Sequence, residues 1–316
     1  MKNHENSMRE AAKKLLSERR VDLIIGYEQG TLPLRTTPCF VDKIEDIQKL
    51  VWNASCDANL SKYLVGRKEK VGVVAKGCDA RSTAVCIIEK QIVREKVFII
   101  GVPCSGIIDR KKVEAKLGGR EILEANVGDE NINIRGEGFE SVLPKKDFVC
   151  DSCLTCGHRN PPIYDVLVGE KAPEPTGVDQ FSQISDLESK SPKEKWEHFK
   201  EELSRCIRCY ACRDVCPLCY CKVCFVDQTM PAWFGKTNDL SDTMIYHLVR
   251  AFHVAGRCVG CGACSRACPM DINLVELMKK TEKIMKEWFN YEAGVSLEKA
   301  PPLGEFKMDD SQEFVK

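Results

Sequence analysis

Apolar positions in the first half of the chain follow two rhythms. In "REAAKKLLSERR" they fall three and four apart, which predicts a short amphipathic helix, and "VDLIIGY" directly after it is a compact apolar strand. "KVGVVAKGCDARSTAVCIIEKQI" reads as a buried strand, a Gly-containing turn and a helix starting near Asp79. "KVFIIGVPCSG" repeats strand and turn, and a helix follows through "DRKKVEAKL". "YDVLVGE", from Tyr164, is a further strand. Short β-rich runs alternating with helices predict an α/β domain with a mainly parallel sheet over residues 1–168.

The pattern then breaks. Residues 169–190 are polar, contain prolines and show no period, as a linker would. In "SPKEKWEHFKEEL" Ser191 is a good N-cap, Pro192 suits the first helical position and Glu194 completes a capping box. Trp196, Phe199 and Leu203 share one face of that helix, which delivers the chain to Cys206. "SDTMIYHLVRAFHVAGR" predicts a second helix capped by Ser241, with Ile245, Leu248, Val249 and Phe252 along one stripe. Leu274, Leu277, Met278, Ile284, Met285 and Trp288 keep helical spacing in a third. These stripes are expected to be core. Residues 191–300 therefore form a mostly α-helical domain, followed by a polar, solvated tail over 301–316.

Composition narrows the classes. Lys plus Arg equals Asp plus Glu at 47 each, and no basic run is interleaved with aromatics, so nothing points to nucleic acid. No stretch reaches the roughly 18 apolar residues of a membrane span, and the N-terminal residues lack the apolar core of a secretory signal. A cytoplasmic protein is expected. Nineteen cysteines, an odd count clustered at C-x-x-C spacings, then point to metal rather than disulfides.

Two near-copies of one motif carry the strongest signal: "CIRCYACRDVCP" from Cys206 and "CVGCGACSRACP" from Cys258. Both read C-x-x-C-x-x-C-x-x-x-C-P. Three thiolates at that spacing wrap one [4Fe-4S] cube and the fourth ligates the other cluster. Cys206, Cys209, Cys212 and Cys268 are assigned to one cube; Cys258, Cys261, Cys264 and Cys216 to the second. A zinc ribbon needs only pairs. The C-x-x-x-C-x-x-C run of Cys212, Cys216 and Cys219 reuses two of these ligands and is read as accidental. His198, His247 and His253 show no ligand spacing and are read as surface or packed residues.

Two triplets remain. Cys150, Cys153 and Cys156 are three sides of a third [4Fe-4S] site, whose fourth ligand would be Cys219, Cys221 or Cys224. Structural zinc or buried thiols are the alternatives. Cys78 and Cys104 each follow a predicted strand, where open α/β sheets bind ligands. Gly77, Gly101 and Gly106 permit close approach there, and Lys76 and Arg81 offer charge to a phosphate, although neither turn is G-x-G-x-x-G.

The paired motifs and the long helical connection between them resemble the α-helical ferredoxin domains of heterodisulfide reductase C and succinate dehydrogenase iron–sulfur subunits. "KGCDARSTAVCIIEKQIVREKVFIIGVPCSG" with "CDSCLTCGHRNPPIYDVLVGE" resembles the beta subunits of hydroxydeazaflavin-dependent hydrogenases and dehydrogenases, over about residues 20–170. That resemblance implies FAD beside a [4Fe-4S] cluster, with a flavin region of Lys76, Gly77, Cys78, Asp79, Arg81, Gly101, Pro103, Cys104 and Gly106. Alternatively Cys78 and Cys104 ligate a further, fourth cluster. The family's domain usually continues past the D-V-x-x-G strand, whereas here the linker begins almost at once.

The expectation is an electron-transfer subunit of an anaerobic oxidoreductase. It would relay single electrons between a second carrier and catalytic redox subunits of a formate dehydrogenase, hydrogenase or heterodisulfide reductase-like kind. The alternatives are a stand-alone flavin and iron–sulfur oxidoreductase and a structural zinc-binding adaptor.

Overall fold

The computed structural model describes residues 2–232, 235–304, 306 and 308, so most of the predicted tail lies outside the described residues. The chain starts in helix α1 (Lys2–Ser17), strand β1 (Leu23–Gln29) and strand β2 (Thr36–Val41). Strand β3 (Val71–Ala75) runs into helix α2 (Gly77–Ile88), and strand β4 (Val97–Gly101) is followed by helix α3 (Arg110–Lys116). A short strand β8 (Val166–Leu167) closes a five-stranded sheet of order β2-β1-β3-β4-β8. Its β1–β3, β3–β4 and β4–β8 pairings are parallel, and the β1–β2 edge is antiparallel. The mainly parallel α/β sheet expected from the sequence is present. Every residue of β3 is buried, as suits a strand covered on both faces.

Between α3 and β8 lies a three-stranded antiparallel meander that the sequence reading did not assign. It comprises β5 (Ile122–Val127), β6 (Asn131–Gly136) and β7 (Phe139–Pro144). Ile132, Ile134 and Leu143 point into a second core with Val113, Leu117 and Phe148. The alternation in "NINIRG", and Gly138 at φ +70° in the turn that follows, are the signals that could have found it.

The second half is helical. After the one-turn helix α4 (Asp151–Leu154) come α5 (Ser182–Ser189) and α6 (Pro192–Ser204), then α7 (Ala211–Asp214), α8 (Leu240–His253), α9 (Ala263–Arg266) and α10 (Leu274–Phe289). In α6, Ser191 Oγ accepts from the Glu194 amide and Glu194 answers the Ser191 amide at 2.8 Å, so the expected capping box is formed. Helix α5 lies inside the stretch read as linker; only Ile184 and Leu187 are buried on it, too few to show a period.

Helix α8 corrects a second expectation. It starts at Leu240 behind Asp239 rather than at a Ser241 cap. Its apolar stripe is not core: Ile245, Leu248 and Phe252 are exposed, while Thr243, Tyr246, His247, Arg250 and Ala251 are buried. The inward face meets cysteine loops whose sulfurs and carbonyls need donors, so polar side chains are drawn inside. Trp288 of α10 is likewise mostly exposed, although Leu274, Met278 and Met285 are buried as expected.

The two halves share one apolar core. Leu218, Ala251, Val254 and Met278 belong to the same buried cluster as Ile24, Val73 and Ile99 of the sheet. Arg81 on α2 pins them together: its Nε donates to the Ala293 carbonyl at 2.9 Å and Nη1 to the Val259 carbonyl at 3.2 Å.

Candidate metal centres

The two ferredoxin-like loops wrap in the same way. In the first, Arg208 and Tyr210 adopt left-handed backbone at φ 53° and 60°; in the second, Gly260 and Gly262 stand at the matching places at φ 65° and 72°. Left-handed residues turn amides inward toward the cysteines, and glycine does so without strain. The two non-glycine residues are held from outside. Arg208 Nη1 donates to the Gly235 and Thr237 carbonyls at 2.9 and 3.1 Å, and Nη2 to the Tyr210 hydroxyl at 3.1 Å. Helices α7 and α9 then carry Cys212 and Cys264 to buried positions.

The quartets cross over in space. Cys216 lies among the thiols of Cys258, Cys261 and Cys264, each of which feels its charge, and all four line one cavity. Cys268 sits beside Cys206 and Cys212. Burial pushes the Cys261 thiol to about 11 and raises those of Cys258 and Cys264. Cys209 alone of the eight is exposed.

Three groups missed by the sequence reading surround these loops. His247, read as packed or surface, is buried with Nε2 3.3 Å from the Cys206 sulfur. Arg250, 3 % exposed, lies between the quartets: Nη2 donates to the Cys212 carbonyl at 3.0 Å, and the thiols of Cys264, Cys216, Cys212 and Cys219 surround it. Arg266 reaches from the second loop toward the first domain, with Nη1 on the Cys261 carbonyl at 2.9 Å and Nη2 on the Asp57 carbonyl at 2.7 Å. Buried side chains donating toward ligand loops were not visible in spacing, because they belong to no motif.

In the first domain, the loops after β3 and β4 bring Cys78 and Cys104 to one cavity with Cys153 and Cys156. Cys261 and Arg266 line the same cavity, which therefore adjoins the second ferredoxin quartet. The amides two residues after Cys104 and Cys156, those of Gly106 and His158, each donate to the cysteine sulfur at 3.4 Å. Arg208 does the same for Cys206, also at 3.4 Å. Burial raises the Cys104 thiol to about 11. Cys150 is also buried but is outside the cavity lining; its thiol hydrogen-bonds to Cys153, which lowers the Cys153 thiol and raises that of Cys150.

The residues nominated for a flavin are occupied within the protein. Burial opposes the charge on Lys76, yet Asp79 at 2.9 Å keeps it protonated, and its ammonium also donates to the Ala58 carbonyl at 2.9 Å. Asp79 accepts the Lys76 amide at 3.0 Å, and Arg81 is the strut already described. A side chain on Gly77 would run into the His158 carbonyl, one on Gly101 would crowd Tyr164 and Pro161, and Gly106 stands at φ +104°. Pro103 precedes Cys104 in a loop held by the Cys104 amide on the Arg159 carbonyl at 2.9 Å. The cavity is about 40 Å³.

Cys219, Cys221 and Cys224 line a different cavity, of about 420 Å³, without Cys150, Cys153 or Cys156. Among the described residues no three Cys, His or carboxylate side chains converge as ligands of a single ion. Among the described residues no helix is long and apolar enough to cross a membrane.

Residues 201–272 match the 4Fe-4S dicluster domain, which this chain contains. Over 92 % of its length the chain is related to the F420-dependent formate dehydrogenase subunit beta of Methanocaldococcus jannaschii, at 25 % identity and covering 92 % of that protein. The corresponding subunit of formate dehydrogenase 1 of Methanococcus maripaludis is 24 % identical over 92 % of this chain and 91 % of its own length. Among solved structures, a chain of the F420-reducing [NiFe] hydrogenase complex of Methanosarcina barkeri aligns with a TM-score of 0.37 at 16 % identity, covering 64 % of this chain and 86 % of that one. The likeness to hydroxydeazaflavin-linked beta subunits and the dicluster ferredoxin part both stand.

Proposed function

We propose that the chain is the iron–sulfur relay subunit of a formate dehydrogenase-like complex, passing single electrons between catalytic redox subunits and a second carrier through three adjoining [4Fe-4S] sites. The first is Cys78, Cys104, Cys153 and Cys156; the second Cys258, Cys261, Cys264 and Cys216; the third Cys206, Cys209, Cys212 and Cys268. The observation that carries the reading is the position of Cys261, which lines the cavity of its own quartet and that of the first domain as well. Adjoining sites give one-electron transfer a short path, and exposed Cys209 places one end of the row at the surface.

The matching amide-to-sulfur bonds at Cys104, Cys156 and Cys206 support treating the first-domain site as a cluster, since such donors stabilise anionic thiolates. The occupied Lys76, Asp79 and Arg81 favour a relay with no flavin step at this site. When bound, the clusters supply one-electron redox chemistry. The protein's own contribution is burial, exclusion of water and hydrogen bonds to sulfur, which set the potentials. The relatives' partners and F420 dependence make catalytic dehydrogenase subunits the expected neighbours. The same reading keeps residues 1–168 and 191–300 as its two functional parts.

The test is iron, sulfide, zinc and flavin analysis with EPR on anaerobically purified chain and on Cys104→Ser. The variant is expected to lose about four irons while both ferredoxin signals persist. Unchanged iron in a folded variant, or fewer than about twelve irons in the wild type, would overturn the reading.

A further inference from the structure

The three sites above leave Cys219, Cys221 and Cys224 without a role. All three line the same open cavity of about 420 Å³, and no other cysteine among the described residues lines it. Leu218, Arg250 and Val254 form part of its wall and also part of the wall around Cys216, Cys258, Cys261 and Cys264. Cys219 hydrogen-bonds directly to Cys216. The cavity is thus next door to a ferredoxin site yet separate from it.

Its lining is cationic. Lys62, Arg213, Arg250 and Arg257 border it, and Lys62 Nζ donates to the Cys219 carbonyl at 3.4 Å. The two carboxylates present, Asp214 and Asp227, are both engaged by Arg213, at 2.9 and 3.0 Å. Arg250 reaches both sites, its guanidinium hydrogen-bonding to the thiols of Cys219 and Cys264.

We infer that Cys219, Cys221 and Cys224 ligate an iron–sulfur cluster of their own, with its fourth corner on the open side of the cavity. A cube bound by three thiolates is a net anion, which this wall would neutralise. A single zinc ion would draw its thiolates to one point. A cube takes its ligands on separate corners. The earlier expectation, that one of these cysteines completes the Cys150–Cys156 site, is replaced by a site that branches from the relay. The inference rests on the relay reading, because the neighbouring ferredoxin cube is what would exchange electrons with it.

The test compares full-length wild type, Cys221→Ala, Cys104→Ser and the double variant, all purified without oxygen. Cys221 is exposed, and circular dichroism and thermal unfolding check that Cys221→Ala is folded. Cys221→Ala is expected to lose about four irons and four sulfides, and the double variant about eight, with both ferredoxin signals intact. Three results would overturn the inference: full iron in folded Cys221→Ala, no further loss in the double variant, or one zinc per chain that Cys221→Ala removes. Fewer than about twelve irons in the wild type would sink the relay reading along with it. About twelve in both wild type and Cys221→Ala would sink the extra site alone.

Discussion

The Nε2 atom of His247 lies 3.3 Å from the sulfur of Cys206, and the other ring nitrogen is buried without a partner among the described residues. Burial, reinforced by the nearby Arg250 and Arg208, lowers the His247 pKa to about 4, so the ring is neutral near pH 7 and its one proton belongs on Nε2. A donor to a cluster sulfur stabilises the reduced, more negative state. His247→Leu should therefore lower the midpoint potential of the Cys206 cluster by roughly 20–60 mV, the one-electron equivalent of a hydrogen bond worth about 0.5–1.5 kcal/mol. A redox titration followed by EPR reads this. An unchanged potential would mean that the contact is packing alone.

The crossover makes a separate prediction. Cys268 follows the second loop in sequence but stands beside Cys206 and Cys212 in space. Cys268→Ser should alter the EPR signal of the Cys206 cluster and leave that of the Cys258 cluster in place. Loss confined to the Cys258 cluster would reverse the assignment.

Gly77 tests the first-domain site without touching a thiol. A methyl group there meets the His158 carbonyl, which is backbone and cannot rotate away. Gly77→Ala should push apart the loops carrying Cys78 and Cys156, at a cost of about 1–3 kcal/mol. The expected result is a lower thermal midpoint together with loss of the cluster that Cys104→Ser also removes. A variant with wild-type iron content would show that these loops do not hold a common centre.

Acid should loosen the contact between the halves. Glu292 hydrogen-bonds to His158, and Arg81 lies 3.6 Å away; with the His158 bond as the larger cause, and against the opposing effect of burial, its pKa falls to about 2. The folded pKa is below the unfolded value near 4.5, so this stabilisation is fully present above that pH and is lost as pH falls toward 2. The stability difference between wild type and Glu292→Gln should be constant above about pH 5 and shrink below it. Thermal unfolding across that range checks the sign; a difference that grows on acidification would contradict it.

Local patterns in the sequence were read well where they were decided locally. Ser191, Pro192 and Glu194 announce α6 because a capping box needs only neighbours three residues apart. The strands "VGVVA" and "VFIIG" were legible because continuous apolar runs between turns have few other uses. The α8 stripe misled because periodicity shows which residues share a face and not which face turns inward. There the cysteine loops required donors, and Tyr246, His247 and Arg250 took the inner side over Ile245, Leu248 and Phe252.

The sequence by itself determined that the chain carries a 4Fe-4S dicluster domain: two C-x-x-C-x-x-C-x-x-x-C-P runs announce it, since such a motif is set by short stretches of backbone. Only the tertiary structure decided how the remaining cysteines are shared out. Cys78 and Cys104 join Cys153 and Cys156 because parallel strands β3 and β4 end side by side, bringing loops far apart in sequence to one cavity. Cys219, Cys221 and Cys224 line a different cavity, with Tyr246, Arg250 and His253 of α8 in its wall. Spacing describes a loop; which loops meet depends on the core that packs them together.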